Sequence, residues 1–175
     1  EAERLAAFPV LLGDLIDKGP DSIGVLRLVL PRVVERRMAL VRGNHDERLL
    51  KSLLKPNGKP TRVLSELQAA PDAAELSSLA VEVLSDAGYW LQVRRHILVH
   101  GAFHPEMLSC PTRGAGPNVS RKLKALALFG ETDGTVNAEG LPVRTYNWVD
   151  RIPNGVTAVV GHDTRQVHEP LVVEN

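Results

Sequence analysis

The feature that most constrains this 175-residue chain is a pattern that recurs four times: a short apolar run followed at once by a glycine-containing turn bearing Asp, Asn or His. Phe8 to Leu12 runs into Gly13-Asp14-Leu15-Ile16-Asp17-Lys18-Gly19-Pro20-Asp21-Ser22, and Met38 to Val41 into Arg42-Gly43-Asn44-His45-Asp46-Glu47. His96 to Val99 leads to His100-Gly101-Ala102-Phe103-His104-Pro105, and Thr157 to Val160 ends in Gly161-His162-Asp163. Short apolar runs bounded by turn residues read as buried strands. An α/β sheet presents its ligand-binding loops beyond the ends of its strands. The four polar clusters are therefore expected to converge on one edge of a sheet.

The segments between the clusters supply the helices. Asp21 to Arg37 carries a helical apolar pattern that Pro31 is expected to kink or divide. His45 to Lys55 places Leu49, Leu50, Leu53 and Leu54 on one side, and the Pro-Asn-Gly-Lys-Pro stretch at 56–60 ends it. Residues 61–86 predict two amphipathic helices broken near Pro71. Tyr89 to Val93 and His96 to Val99, separated by Arg94 and Arg95, predict a hairpin. Ser120 to Phe129 reads as a helix, Gly130 to Gly140 as a loop, Thr157 to Val160 as a buried strand, and Leu171 to Val173 as a further strand. Glu1 to Ala7 reads as the tail of a helix.

Charge and cysteine content narrow the classes of function. Lys and Arg number 21 and Asp and Glu 21, which disfavours a strongly basic groove for long nucleic acid. The one cysteine, Cys110, cannot close an internal disulfide, and no apolar run reaches about 20 residues. The expectation is one soluble domain over 1–175, cytoplasmic, with no membrane segment.

Mixed carboxylate, amide and imidazole side chains suit a borderline divalent metal such as manganese, iron or zinc, whereas a single Cys excludes an all-thiolate zinc site. Such a metal beside cationic side chains polarises phosphoryl groups and activates water. Taken singly, an Asp-Gly or Asn-His loop is ordinary turn chemistry. Four in order point to a metal site.

GDLIDKGPDS, RGNHDE, VHGAFHP and VVGHD together resemble the ordered blocks of the calcineurin-like metallophosphoesterases, in the branch of phosphoprotein phosphatases and bacterial diadenosine tetraphosphatases. The resemblance spans residues 13–163. It implies an α/β sandwich of two β-sheets flanked by helices, with a helical cap insertion at roughly 56–88. It further implies two divalent metal ions, most simply manganese, with Asp14 bridging them and Asn44, His100 and His162 completing the second site. His45 corresponds to the catalytic histidine and Asp17 to the carboxylate that orients it. Lys18 and Arg42 are the candidate phosphate-binding cations, although an arginine such as Arg42 commonly pairs with a carboxylate instead. Lys18 stands where the phosphoprotein phosphatases have an arginine, which keeps the charge but loses the bidentate fork. The implied activity is hydrolysis of a phosphomonoester or phosphoanhydride by in-line attack of a metal-bound hydroxide, with a phosphoprotein or a dinucleoside polyphosphate as substrate.

The family's earlier Asp-x-His-Gly block has no counterpart in residues 1–12, so the chain carries one complete four-ligand site and only the bridging carboxylate of the other. An omitted N-terminal strand is the expectation; the alternative is a non-catalytic phosphate-binding or scaffold relative that has lost the first metal site. Other residues are read more plainly. His104 is expected to shape its loop, His96 and His168 to be ordinary histidines, Arg113 to lie on a surface loop, Cys110 to be inert, and Arg121, Lys122 and Lys124 to form a solvated face. Arg144, Tyr146 and Trp148 alternate either as a half-buried strand or as a platform for a nucleotide base.

Overall fold

The computed structural model describes residues 7–55, 61–109, 119–163 and 172. The N-terminal helical tail, apart from Ala7, lies outside them, as do Cys110, Arg113, His168 and the strand expected over 171–173, apart from Val172.

The expected strand and helix order is present. Strand β1 (Val10–Leu11) pairs in parallel with β2 (Ala39–Leu40), and helix α1 (Ser22–Val34) makes the crossover. Asp21 starts α1 by accepting a 2.7 Å bond from the Gly24 amide, one of the orphan donors of a helix N-terminus. Pro31 neither divides nor ends α1. It lacks the N–H that would bond the Arg27 carbonyl, and α1 continues for only three residues beyond it. Helix α2 (Asn44–Leu54) follows β2 directly, and α3 (Arg62–Gln68) and α4 (Ala73–Asp86) come next. Leu26 and Leu30 of α1, Leu49 and Leu50 of α2, Val63 and Leu67 of α3, and Leu76, Ala80, Val83 and Leu84 of α4 share one buried core with Leu40. The helices expected as a cap are thus packed on α1 and α2 through their apolar stripes.

A second core lies under a three-stranded sheet. Strands β3 (Trp90–Val93) and β4 (His96–Val99) form the expected hairpin, with Arg94 at a positive φ of 54° in its turn. Strand β7 (Thr157–Val160) adds to β4 in parallel, His96 opposite Thr157 and Val99 opposite Val160. Trp90, Ile97, Val99, Phe103, Met107 and Trp148 bury here against Leu123, Ala127 and Leu128 of α5 (Arg121–Phe129). Strand β7 alternates exposed and half-buried residues, where full burial was expected; it closes one side of the sheet and packs on one face only.

The segment 130–140 is not simply a loop. Strand β5 (Thr132–Val136) pairs antiparallel with β6 (Pro142–Arg144). All five β5 residues are exposed, so no apolar alternation marks it. Among the described residues, no helix is long and apolar enough to cross a membrane.

Candidate metal centre

Two glycines decide how closely the first two loops approach. Gly13 has φ +86°, and a Cβ there would lie 2.3 Å from the Gly43 nitrogen. A Cβ on Gly43 would in turn lie 2.5 Å from both the nitrogen and Oδ1 of Asp14. Side chains at either position would push Asp14 and Asn44 apart. Asp46 then ties the loops together: its carboxylate accepts from the amides of Asp14 at 2.8 Å, Leu15 at 3.0 Å and Gly43 at 2.9 Å. Burial pushes the Asp46 carboxyl upward, while the Gly43 and Leu15 amides oppose that rise. Sequence reasoning gave Asp46 no role, and its fixed place two residues after Asn44 was the available signal.

The ends of β1, β2, β4 and β7 bring Asp14, Asn44, His100 and His162 together. His100 is 1% exposed, and its Nδ1 lies 2.6 Å from the Leu12 carbonyl. Nδ1 therefore carries the proton and Nε2 presents a lone pair. Around that Nε2 stand Asn44 Oδ1 at 3.0 Å, Asp14 Oδ1 at 3.4 Å and His162 Nδ1 at 2.8 Å. Oxygen and nitrogen acceptors crowded this closely repel one another unless a cation or a proton lies among them. Ligand atoms of Asp14, His100 and His162 all fall within 4.8 Å of one another, and the two-oxygen, two-imidazole donor set fits a borderline divalent ion. Burial lowers the His162 pKa to about 4, with the His100 and Arg144 charges adding to the effect. The imidazole is thus neutral near pH 7, the state a ligand requires. Asp14 and His162 hold positive φ values of 55° and 61°, a conformation costing an L-residue roughly 1–3 kcal/mol that the surrounding contacts must offset.

His45 flanks this cluster. Its Nδ1 lies 2.6 Å from Asp17 Oδ2, its Nε2 lies 3.9 Å from Asp14 Oδ2, and its backbone amide donates to Asp14 Oδ1 at 3.2 Å. The imidazole Nδ1–H donates to the carboxylate, so Nε2 is the atom turned toward the metal cluster. Arg48, one turn further along α2, also donates to Asp17 Oδ2. Partial burial pushes the Asp17 carboxyl up, but the His45 and Arg48 hydrogen bonds outweigh it and leave the pKa lowered. Arg48 escaped the sequence reading, although its i,i+3 spacing from His45 put both on one helix face. Lys18 is exposed, close enough for its charge to help lower the His162 pKa.

Arg42 is not at this site. Its side chain is 1% exposed and bonds Glu47 Oε2 at 2.7 Å, the Ala87 carbonyl at 2.7 Å and the Ser85 carbonyl at 3.3 Å. These partners take up both terminal amino groups, and Nε is buried without a partner among the described residues, so no donor is open to a phosphate. Lys124, expected on a solvated face, instead reaches Glu47 Oε1 at 2.6 Å, and both cations lie within 5.0 Å of the Tyr89 ring centroid. Replacing Arg42 by Ala takes one of two close cations from a buried carboxylate and the donor from the Ser85 and Ala87 carbonyls, and a loss of about 3–5 kcal/mol in urea unfolding is expected. Burial raises the Glu47 pKa, but bonds from Lys124 and Arg42 outweigh it and the net shift is downward. A depressed folded pKa adds stability above the unfolded value of about 4.5, and that contribution fades as pH falls through the folded value. The stability difference between wild type and Glu47→Gln should accordingly shrink as pH falls below about 4.5. A difference that stays constant over that range would contradict the assignment.

The remaining candidates lie elsewhere or act differently. His104 Nδ1 accepts from the Glu106 amide at 3.3 Å and so caps the turn Pro105–Leu108. His96 is exposed at the start of β4. Trp148 is buried in the second core, and the cavity bounded by Arg144, Tyr146 and Trp148 measures about 20 Å³, room for about one water. A nucleotide base does not fit there. Tyr146 donates to Asp163 Oδ2, Arg144 donates to the Phe129 carbonyl at 2.5 Å, and the same guanidinium lies 2.5 Å from His162 Nε2.

The mixed α/β fold thus gathers carboxylate, amide and imidazole side chains at its strand ends as a candidate metal centre, with a His-carboxylate pair alongside. The chain belongs to the calcineurin-like phosphoesterase family, whose model matches residues 4–165. It is 28% identical over 169 residues to the asymmetrical bis(5'-nucleosyl)-tetraphosphatase PrpE of Bacillus velezensis, covering 94% of this chain and 65% of that protein. The PrpE of Bacillus subtilis is also 28% identical over 169 residues, covering 94% of this chain and 66% of its own length. Over a shorter stretch of 67 residues, 38% of this chain and 24% of the relative, it is 48% identical to the symmetrical bis(5'-nucleosyl)-tetraphosphatase of Proteus mirabilis. A crystal structure assigned by inference as a diadenosine tetraphosphatase superposes with a TM-score of 0.53 at 26% identity, over 91% of this chain and 63% of that one. The chain therefore spans about two thirds of the length of the relatives it matches end to end.

Proposed function

We propose that this chain carries the catalytic centre of a divalent-metal-dependent hydrolase that cleaves a phosphoanhydride bond in a dinucleoside polyphosphate. The observation that carries the reading is the convergence of Asp14, Asn44, His100 and His162 around one lone pair, with His45 Nε2 turned toward the same point. The choice of a dinucleoside polyphosphate over a phosphoprotein rests on the relatives, which are named as bis(5'-nucleosyl)-tetraphosphatases.

Asp14, Asn44, His100 and His162 would hold the metal, most simply manganese. Bound there, a divalent ion would polarise the phosphoryl oxygens and lower the pKa of water. His100 is fixed by the Leu12 carbonyl, so its Nε2 lone pair stays aimed inward without a reorganisation cost. His45, oriented by Asp17, would deliver a proton from Nε2 to the leaving phosphate oxygen, and Asp17 would stabilise the imidazolium before transfer. Lys18, exposed beside His162, would neutralise phosphate charge as a point cation.

The test is to load the complete protein with manganese and follow products from diadenosine tetraphosphate, p-nitrophenyl phosphate and a phosphopeptide by chromatography. Hydrolysis of the dinucleotide that EDTA abolishes and manganese restores is expected. If none of the three is turned over in a metal-dependent way, the hydrolase reading is wrong.

A further inference from the structure

An open groove of about 370 Å³ runs beside α2, lined by Asn44, Glu47, Arg48, Lys51, Ser52, Lys55 and Phe129. Its volume falls in the range of small-molecule sites, roughly 300–1,000 Å³. It begins at Asn44, one of the clustered metal-ligand side chains, and so continues outward from the candidate centre. Arg48 and Lys51 lie at i and i+3 on one face of the helix, and Lys55 follows just past its C-terminal end.

The charges in this groove are uneven in a way that suits an elongated anion. Its acid, Glu47, is already held by Arg42 at 2.7 Å and Lys124 at 2.6 Å. Lys51 reaches the same carboxylate only at 3.3 Å and its side chain is 62% exposed. Arg48 is engaged by Asp17 at the metal end, which leaves Lys51 and Lys55 as the cations farther out. Opposite them Phe129 is 50% exposed. Its carbonyl accepts from Arg144, the guanidinium that also touches His162. The exposed ring is thus anchored to the metal cluster through its own backbone.

We infer that this groove receives the distal part of the substrate: its phosphates lie along Lys51 and Lys55, and its terminal base stacks on Phe129. The inference rests on the dinucleoside polyphosphate reading and adds to it a second recognition site outside the metal centre. A row of cations ending at a flat aromatic face matches a polyphosphate that ends in a nucleoside, because each cation meets an anionic group and the ring meets a base. A phosphomonoester with a small leaving group would not extend that far.

The experiment compares wild type, Lys51→Ala/Lys55→Ala and Phe129→Ala as full-length manganese-loaded proteins. Substrates are diadenosine tetraphosphate and p-nitrophenyl phosphate, with thermal unfolding measured in parallel. KM for the dinucleotide should rise at least about fivefold in each variant. Kinetic constants for p-nitrophenyl phosphate should stay near those of wild type. In the double Lys variant, kcat/KM for the dinucleotide should also depend less steeply on salt. Equal losses on both substrates would mark these side chains as structural and overturn the inference. An active wild type whose variants keep the original KM would overturn the groove alone. A wild type that hydrolyses p-nitrophenyl phosphate and never the dinucleotide would overturn the substrate reading, and the groove with it. Tighter competitive inhibition by a 5'-phosphorylated oligonucleotide than by diadenosine tetraphosphate would also overturn it, by making the occupant a nucleic-acid strand.

Discussion

Replacing His45 by Ala is expected to lower kcat by roughly 100- to 10,000-fold, the usual range for loss of a positioned proton donor, while the bound metal stays at the wild-type level. The two halves of this expectation come from different atoms. The backbone amide of His45 donates to Asp14 Oδ1 and survives the substitution, so the carboxylate keeps its place. The imidazole is committed to Asp17 through Nδ1 and approaches Asp14 through Nε2 only at 3.9 Å. Removing it takes away the proton carrier without taking away a ligand.

The leaving group offers a sharper check. If His45 protonates the departing oxygen, the loss should be large for a basic phosphate leaving group and clearly smaller for p-nitrophenolate, which departs without a proton. Asp17→Asn should fall between wild type and His45→Ala, since it removes the charge that steadies the imidazolium but leaves an acceptor beside Nδ1. Metal content by plasma mass spectrometry, read alongside the kinetics, separates the roles. Metal missing from His45→Ala would make this residue a ligand and end the proton-transfer assignment.

Local sequence carried the framework because each strand is short, apolar and closed by a turn, and because a parallel arrangement leaves those turns at one edge. Gly13 and Gly43 were legible as turn residues, whereas the close approach of their two backbones shows only in the structure. What remained hidden depended on distant partners. Arg42 looked like a phosphate ligand beside Asn44, yet its donors face carbonyls 43 and 45 residues away and an acid one helical turn on. Lys124 looked solvated because Glu47 lies 77 residues from it in sequence. The β5-β6 hairpin was hidden by composition, since Thr-Asp-Gly-Thr-Val carries turn residues and none of its side chains is buried. Pro31 misled because a helix can run on for three residues past a proline at the cost of one backbone hydrogen bond.

Asp46→Ala should be the most damaging substitution at a residue that is not among the candidate ligands, costing roughly 3–5 kcal/mol of stability in the metal-free protein. Its carboxylate is 1% exposed and serves three amides from two loops. Deleting it leaves those donors in a site with little room for water. It also frees Gly13-Asp14 to move relative to Gly43-Asn44. Manganese affinity by calorimetry should therefore fall at least about tenfold, as it does when groups that orient metal ligands are removed. Asp14→Asn supplies the contrast. Asparagine tolerates the positive φ of 55° and leaves the clamp intact, so metal-free stability should change little, whereas affinity drops because the candidate cluster loses its anionic ligand. The pair of variants distinguishes a scaffold residue from a ligand: one loses stability and affinity together, the other affinity alone. Wild-type manganese binding by a folded Asp46→Ala protein would mean that the two loops hold their register without this carboxylate.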